Sequence, residues 1–222
     1  MWIQKYVVKI IHFLIVPAVI FAQIKIETGS FTDIRDGQTY KTVKIGEQLW
    51  LAENLNYYTP TGSTYYNGDS IQYAKTFGRL YDWYTAIKSC PPGWHLSTHD
   101  DWQKLEMYLG ITSAEYQPIG QHYYVGTNQG GILKDTTHWE APNTGATNEI
   151  GFSALPAGIR FGDDAPSPYK HNFGDLGTVA HFWASEVSST EAYARILATN
   201  KQKIHIIDGD KSAYRSVRCV KD

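Results

Sequence analysis

The sequence predicts an α+β domain in which two helices pack on a small twisted antiparallel sheet carrying a long loop insertion. Three observations lead there. Apolar residues recur at helical spacing in two stretches, 80–87 and 98–109. They alternate at period two near both ends of the chain, around 40–51 and 182–220. Between them, residues 111–180 carry little regular pattern and much Gly, Pro, Asn and Asp. Loops of that length inside a compact domain are uncommon and are usually functional when ordered.

The N-terminus reads as a secretory signal. Lys5 and Lys9 precede an apolar run from Ile10 to Phe21, and Ala22 is a plausible cleavage residue. The run is short of the ~20 residues that span a bilayer. No cysteine follows it, which argues against a bacterial lipid anchor. The expected organisation is therefore a signal peptide over 1–22 and one domain over 23–222, with no transmembrane span after cleavage. Loss of Lys5 and Lys9 takes the formal charge from −2 to −4. Nothing basic is concentrated enough to suggest nucleic acid.

Each element has a local reason. Asp36-Gly37 is a strong hairpin turn between Phe31–Arg35 and the alternating Tyr40–Ile45. Gly46-Glu47 turns the chain into Gln48–Leu51. Asp33 and Asp36 are spaced like the start of a calcium loop, but Lys44 stands where that pattern needs Glu. Residues 54–75, rich in Tyr and Asn, read as a long loop or a loose hairpin. Leu80, Trp83, Tyr84 and Ile87 then form one helical face, and Pro91-Pro92 stop that helix at Cys90. Thr98 with Asp101 resembles a capping box for a second helix, with Trp102, Leu105 and Leu109 inward and Gly110 as its stop. His95 and His99 are four apart, but His95 precedes the cap, so the pair does not share a helix face as a metal site requires. Gly151–Arg160 reads as a buried strand or tight crossing. Phe182–Ser185, Tyr193–Ala198 and Lys203–Ile207 read as strands, the last ending in an Asp208-Gly209 turn. Ala213–Val220 closes the sheet, with Val217 and Cys219 inward and Arg215 a rim or paired member of that row.

Cys90 and Cys219 are the only cysteines. In an exported chain they favour one disulfide. The alternative, two separate thiols, suits an oxidising compartment poorly.

Several segments together resemble one family. They are Gly37–Gly46, Trp50–Tyr57, Gly78–Tyr81, Cys90-Pro91-Pro92-Gly93-Trp94-His95-Leu96, Gly151-Phe152-Ser153-Ala154-Leu155-Pro156 and Ser216–Val220. In that order they resemble the Fibrobacter succinogenes major paralogous domain (FISUMP), over roughly residues 31–222. The resemblance implies a C-type-lectin-like superfold and export to a bacterial cell surface. It implies no established biochemical function. This chain departs from many relatives at Ser97, where they read Pro, and in lacking an anchor cysteine.

Fold analogy points to the loops 54–75 and 111–180 as the place to look for a site. The candidate ligand-binding residues are Tyr65, Tyr66, Trp139 and Tyr169, whose rings suit sugar stacking, and Asn143, Asp163 and Asp164, which suit hydroxyls; Tyr123 and Tyr124 are further rings in the same loop. Calcium-dependent sugar-binding relatives of the superfold carry a Glu-Pro-Asn triplet, interrupted here as Glu140-Ala141-Pro142-Asn143. They also carry paired acids after a Trp, absent after Trp183. The sequence calls for no catalytic residue, no metal and no cofactor. Formylglycine-generating enzymes of the same superfold need redox-active cysteines, and the two here have a structural role. The expectation is a non-enzymatic recognition module for a polysaccharide or an envelope surface protein. The alternative is a structural or adhesive surface protein, and an enzyme of unknown class is third.

Overall fold

The computed structural model describes residues 26–118 and 120–222. The signal peptide read over 1–22 lies outside the described residues. Strands β1 (Glu27–Thr32) and β2 (Thr39–Ile45) form the expected hairpin, with Phe31 opposite Tyr40. The buried Asp33 carboxylate holds its turn by pairing with Arg35 at 2.6 Å. Strand β3 (Gln48–Leu51) follows, as expected.

The stretch expected to be loop contains structure. Strand β4 (Ser63–Thr64) pairs with β5 (Leu80–Tyr81), and between them lies a helix, α1 (Ser70–Phe77). That helix buries no residue.

The helix read over 80–87 is corrected to a single turn, α2 (Trp83–Ala86). Tyr81 exchanges two backbone hydrogen bonds with Arg215, at 2.8 and 2.9 Å, which commits it to a strand. Asp82 then caps the turn by accepting from Thr85 N–H at 2.8 Å. Leu80 and Trp83 are buried, but Tyr84 and Ile87 are exposed. Cys90 therefore lies in the connection after α2, not at a helix end.

After β6 (Trp94–Leu96), the second predicted helix is present as α3 (His99–Tyr108). Both halves of the capping box are made: Thr98 Oγ1 accepts from Asp101 N–H at 3.1 Å, and Asp101 Oδ2 accepts from Thr98 N–H at 2.9 Å. Gly110, at φ +93°, donates to Met107 and Ile111 donates to Glu106, closing the helix as a Schellman motif.

The 111–180 region is also more ordered than its composition suggests. It holds β7 (Tyr123–Val125), α4 (Gln129–Leu133), β8 (Ala157–Arg160) and β9 (Phe173–Leu176). Strands β10 (Val179–Glu186), β11 (Glu191–Ala198), β12 (Ile204–Asp210) and β13 (Cys219–Lys221) complete the chain. Asp208 and Gly209 are not a turn; they lie inside β12, opposite Tyr193 and Ala192. A side chain at Gly209 would collide with the Arg215 guanidinium.

The fold is α+β, but its one small sheet is corrected to two main sheets. One runs β1-β2-β3-β13-β6, and the other β7-β12-β11-β10-β8-β9. Residues 214–216 cross between them, bridging Tyr81, Arg160 and Phe182. This segment is buried on both parities, which corrects its reading as a half-buried strand. Ser216 and Arg218 are as inaccessible as Val217 and Cys219, and Arg215 is buried rather than on a rim.

Aromatic rings fill one core, with Trp102 5.3 Å from Trp50 and 5.4 Å from Phe152. Arg195, from β11, reaches into the same layer and pairs with Glu106 of α3 at 2.7 Å, both side chains fully buried. The helix is thus fixed to the second sheet by charge as well as by packing.

Cys90 and Cys219 are bonded, with Cα atoms 5.9 Å apart and a sequence separation of 129. A closed loop of that size restricts the unfolded chain strongly. Cys90→Ser is expected to lower unfolding free energy by about 2–5 kcal/mol, measured by urea denaturation. Wild-type stability in that variant would show that the bridge is not a clamp.

Candidate functional site: a polar trench between the loops

Residues 51–56, on leaving β3, form one wall. Asn54 is buried, and its Nδ2 donates to the Phe77 carbonyl at 2.9 Å, tying the last turn of α1 to this wall. Arg79 N–H donates to the Leu55 carbonyl at 3.1 Å. Gly78 makes the close approach possible: at φ +69°, a Cβ there would meet the Asn54 and Leu55 carbonyls at 2.9 Å. The opposite wall comes from 135–138 and 153–155.

Along the first wall lie two cavities, of about 510 and 390 Å³, that share Glu53, Lys75 and Thr76, and the smaller one reaches the opposite wall. The first continues to Gln38 and Asn56, and the second to Lys41, Asp135, His138 and Ser153. Together they make one trench, and each cavity lies within the ~300–1,000 Å³ of ordinary ligand pockets. Its ionic residues balance, with Lys41 and Lys75 against Glu53 and Asp135. Glu53 Oε2 accepts from Lys41 N–H at 2.7 Å, which fixes its carboxylate. Burial opposes ionisation of Asp135, but the amides of Thr137 and His138 and the His138 imidazole hold its pKa below the ordinary value. The Asn56 Oδ1 acceptor is buried without a partner.

Behind the trench stands Arg218. Its Nε donates to Asn54 Oδ1 at 2.8 Å, Nη1 to the carbonyls of Leu51 at 3.1 Å and Phe152 at 2.7 Å, and Nη2 to the Ser153 carbonyl at 2.7 Å. One side chain holds both walls, and through Asn54 it also holds α1. Burial without a paired carboxylate pushes its pKa down to about 9, with Glu53 acting in the other direction.

None of the seven sequence-nominated residues lines either cavity. They fall in three sets that no hydrogen bond, ion pair or ring contact joins among the described residues. Tyr65 lies under the Arg79 guanidinium at 4.0 Å, and Tyr66 packs on Phe173 at 5.2 Å. Trp139 is buried and donates to the Ala154 carbonyl at 3.0 Å. Asn143, at φ +40°, anchors its loop by bonds to Asp135 and Thr199. Asp163 pairs with His171 at 3.2 Å, and its amide and that of Asp164 donate to Asp210 Oδ2. Burial and the neighbouring Asp210 carboxylate raise the Asp164 pKa. Tyr169 is exposed beside Phe161. Of the further rings, Tyr124 is exposed and stacks on His205 at 4.3 Å. The nominated loops do meet at the trench, but through Asn54, Asn56, Lys75, Asp135 and His138, whose types carry no distinctive signal in sequence.

A second concavity, of about 920 Å³, lies between α3 and the strands β2, β3, β6 and β13. Ile45, Val220 and the half-exposed Met107 and Tyr108 give it an apolar surface. His95 stands at its side between two carboxylates, with Nε2 2.9 Å from Asp101 and Nδ1 2.7 Å from Asp222. Among the described residues, no three His, Cys, Asp or Glu side chains converge to hold a metal ion. No described helix is long and apolar enough to cross a membrane.

The model of the Fibrobacter succinogenes major domain matches residues 43–221. The chain belongs to that family. The match spans both walls of the trench, the disulfide and Arg218. No curated protein and no solved structure matches the chain significantly.

The His95 cluster predicts a pH dependence. Burial disfavours the imidazolium, but Asp101 and Asp222 raise its pKa above the ordinary 6.5. Asp101 is likewise opposed by burial, but Thr98 and His95 lower its pKa below 3.8. The His95 contribution is full below 6.5 and is lost as pH rises through the raised value. The Asp101 contribution is present above 3.8 and is lost as pH falls through the lowered value. The stability advantage of wild type over His95→Gln is therefore expected to be greatest between 3.8 and 6.5 and to shrink on either side. Melting temperatures across that range check it; a pH-independent difference would contradict it.

Proposed function

We propose that the chain is an exported, non-enzymatic recognition module of a bacterial cell envelope. Its ligand is a polysaccharide or an envelope surface protein, taken up where the 54–75 and 111–180 regions meet. The observation that carries this reading is the trench: both regions line it, and polar side chains of both stand in its lining. The fold reads as C-type-lectin-like, because strands from the start of the domain, β2 and β3, lie in one sheet with the terminal β13 and a long insertion separates them. The disulfide and the signal-like N-terminus support export. The buried ionisable groups support recognition over catalysis, since Arg195, Glu106 and Arg218 hold elements together and line neither the trench nor the apolar concavity.

The apolar concavity over Met107 and Tyr108 favours a second reading, an adhesive surface protein that docks another protein. A fluorescent derivative of the chain, applied to a glycan array and to whole envelopes of the producing bacterium, separates the two. The recognition reading expects saturable glycan binding with no change in the glycan. Envelope binding that resists free glycans but falls in Met107→Ser/Tyr108→Ser would favour the adhesive reading, and cleavage of a glycan would refute both.

A further inference from the structure

Resting on the recognition reading, we infer that the trench takes a neutral oligosaccharide and that α1 is a movable wall closing over it.

The wall argument begins with attachment. Helix α1 has eight residues and buries none of them. A helix that short is marginal on its own in water, and elements with few buried contacts open at low free energy. Its two ends differ. The C-terminal end is fixed by Asn54 on the Phe77 carbonyl and by the crowded Gly78. The N-terminal end follows Gly68, at φ +71° with open space around it. A pivot about the last turn would shift the contact of Tyr73 with Tyr66, at 5.6 Å.

Ile71, Ala74, Lys75 and Gly78 fall at i, i+3, i+4 and i+7 and form one stripe. Ala74, Lys75 and Gly78 line the trench. Ile71 stands on the same stripe one turn earlier, and it is 97 % exposed. A pivot of α1 toward the trench brings this apolar side chain down over whatever lies there.

The ligand class follows from the lining. Hydrogen-bonding side chains along the trench include Thr39, Asn56, Lys75 and Thr76. With Lys41 and Lys75 opposed by Glu53 and Asp135, a strongly charged polymer of either sign would meet like charge along its length. These groups stand among Ala52, Ala74 and Leu155, so the lining offers both hydrogen bonds and apolar surface. A neutral sugar chain offers hydroxyls to the polar groups and a C–H face to Ile71.

The test is calorimetric titration of the chain with cellohexaose, xylohexaose, mannohexaose and, as acidic control, hexagalacturonate. At least one neutral hexasaccharide is expected to bind in preference to the acidic one. Lys75→Ala and Asn56→Ala are expected to weaken it about tenfold each. Ile71→Ser is expected to weaken it with no change in melting temperature, because Ile71 makes no buried contact to lose. Hydrogen exchange of the 70–77 amides is expected to slow on binding. Preference for hexagalacturonate, or no binding to any neutral sugar, would overturn the ligand class. Sugar binding untouched by all three variants would overturn the trench while leaving recognition intact, and unchanged exchange at 70–77 would overturn the moving wall. A chain that binds no glycan and no envelope fails the broader reading instead.

Discussion

The structure depends on a buried guanidinium. Arg218 is inaccessible to solvent and has no carboxylate partner; it is satisfied by one amide oxygen and three backbone carbonyls. Those carbonyls belong to chain segments about a hundred residues apart in sequence, 51 on one side and 152–153 on the other. An unsatisfied buried carbonyl costs about 1–3 kcal/mol, so each segment needs the arginine as much as the arginine needs it. The neighbouring Cys219 is bonded to Cys90, and Val220 pairs with both Trp50 and His95 in the first sheet. The terminal segment therefore fixes the trench from behind with charge, covalent bond and strand pairing within three residues.

A second buried cation works by the same logic elsewhere. Lys134, after α4, is fully buried, and its Nζ donates to the carbonyls of Thr144 at 2.9 Å, Lys201 at 3.0 Å and Ala198 at 3.1 Å. Burial pushes its pKa down to about 8. The loop after Trp139 and the β11–β12 connection are thereby gathered on one ammonium. Both cases explain how a region with so little apolar periodicity is ordered. Its irregular backbone leaves carbonyls that no ladder satisfies, and long cationic side chains reach in to satisfy them.

This is also why sequence periodicity finds only part of the fold. The hairpin at Asp36-Gly37 and the cap at Thr98 were legible because turn and cap chemistry is local: the partners lie within a few residues. Residues 182–185 and 193–198 were read as strands, and both lie within longer strands buried on both faces. The reading over 80–87 failed because Leu80 and Trp83 are both buried, one from a strand and one from a helical turn, and the spacing alone does not distinguish them. Helix α1 lies in a stretch read as loop, and none of its residues is buried. Arg218 and Lys134 were passed over because buried cations look like surface residues until their distant carbonyl partners are known.

The nominated site shows the complementary limit. Aromatic side chains drew attention in the loops, but Trp139 and Tyr66 are held by packing within the protein. The aromatic surplus is largely a structural property, as the rings around Trp102 also show. The trench is lined by residues whose side chains are ordinary in sequence and distinctive only by juxtaposition. Glu53 and Lys75 come from one region and Asp135 and His138 from another, and only the smaller cavity brings them together. Long ordered connections need a reason to be held, and here the holding groups, Asn54 and Arg218, are the ones that shape the recess. A site assembled in this way is recognised by what anchors its walls before it is recognised by what lines them.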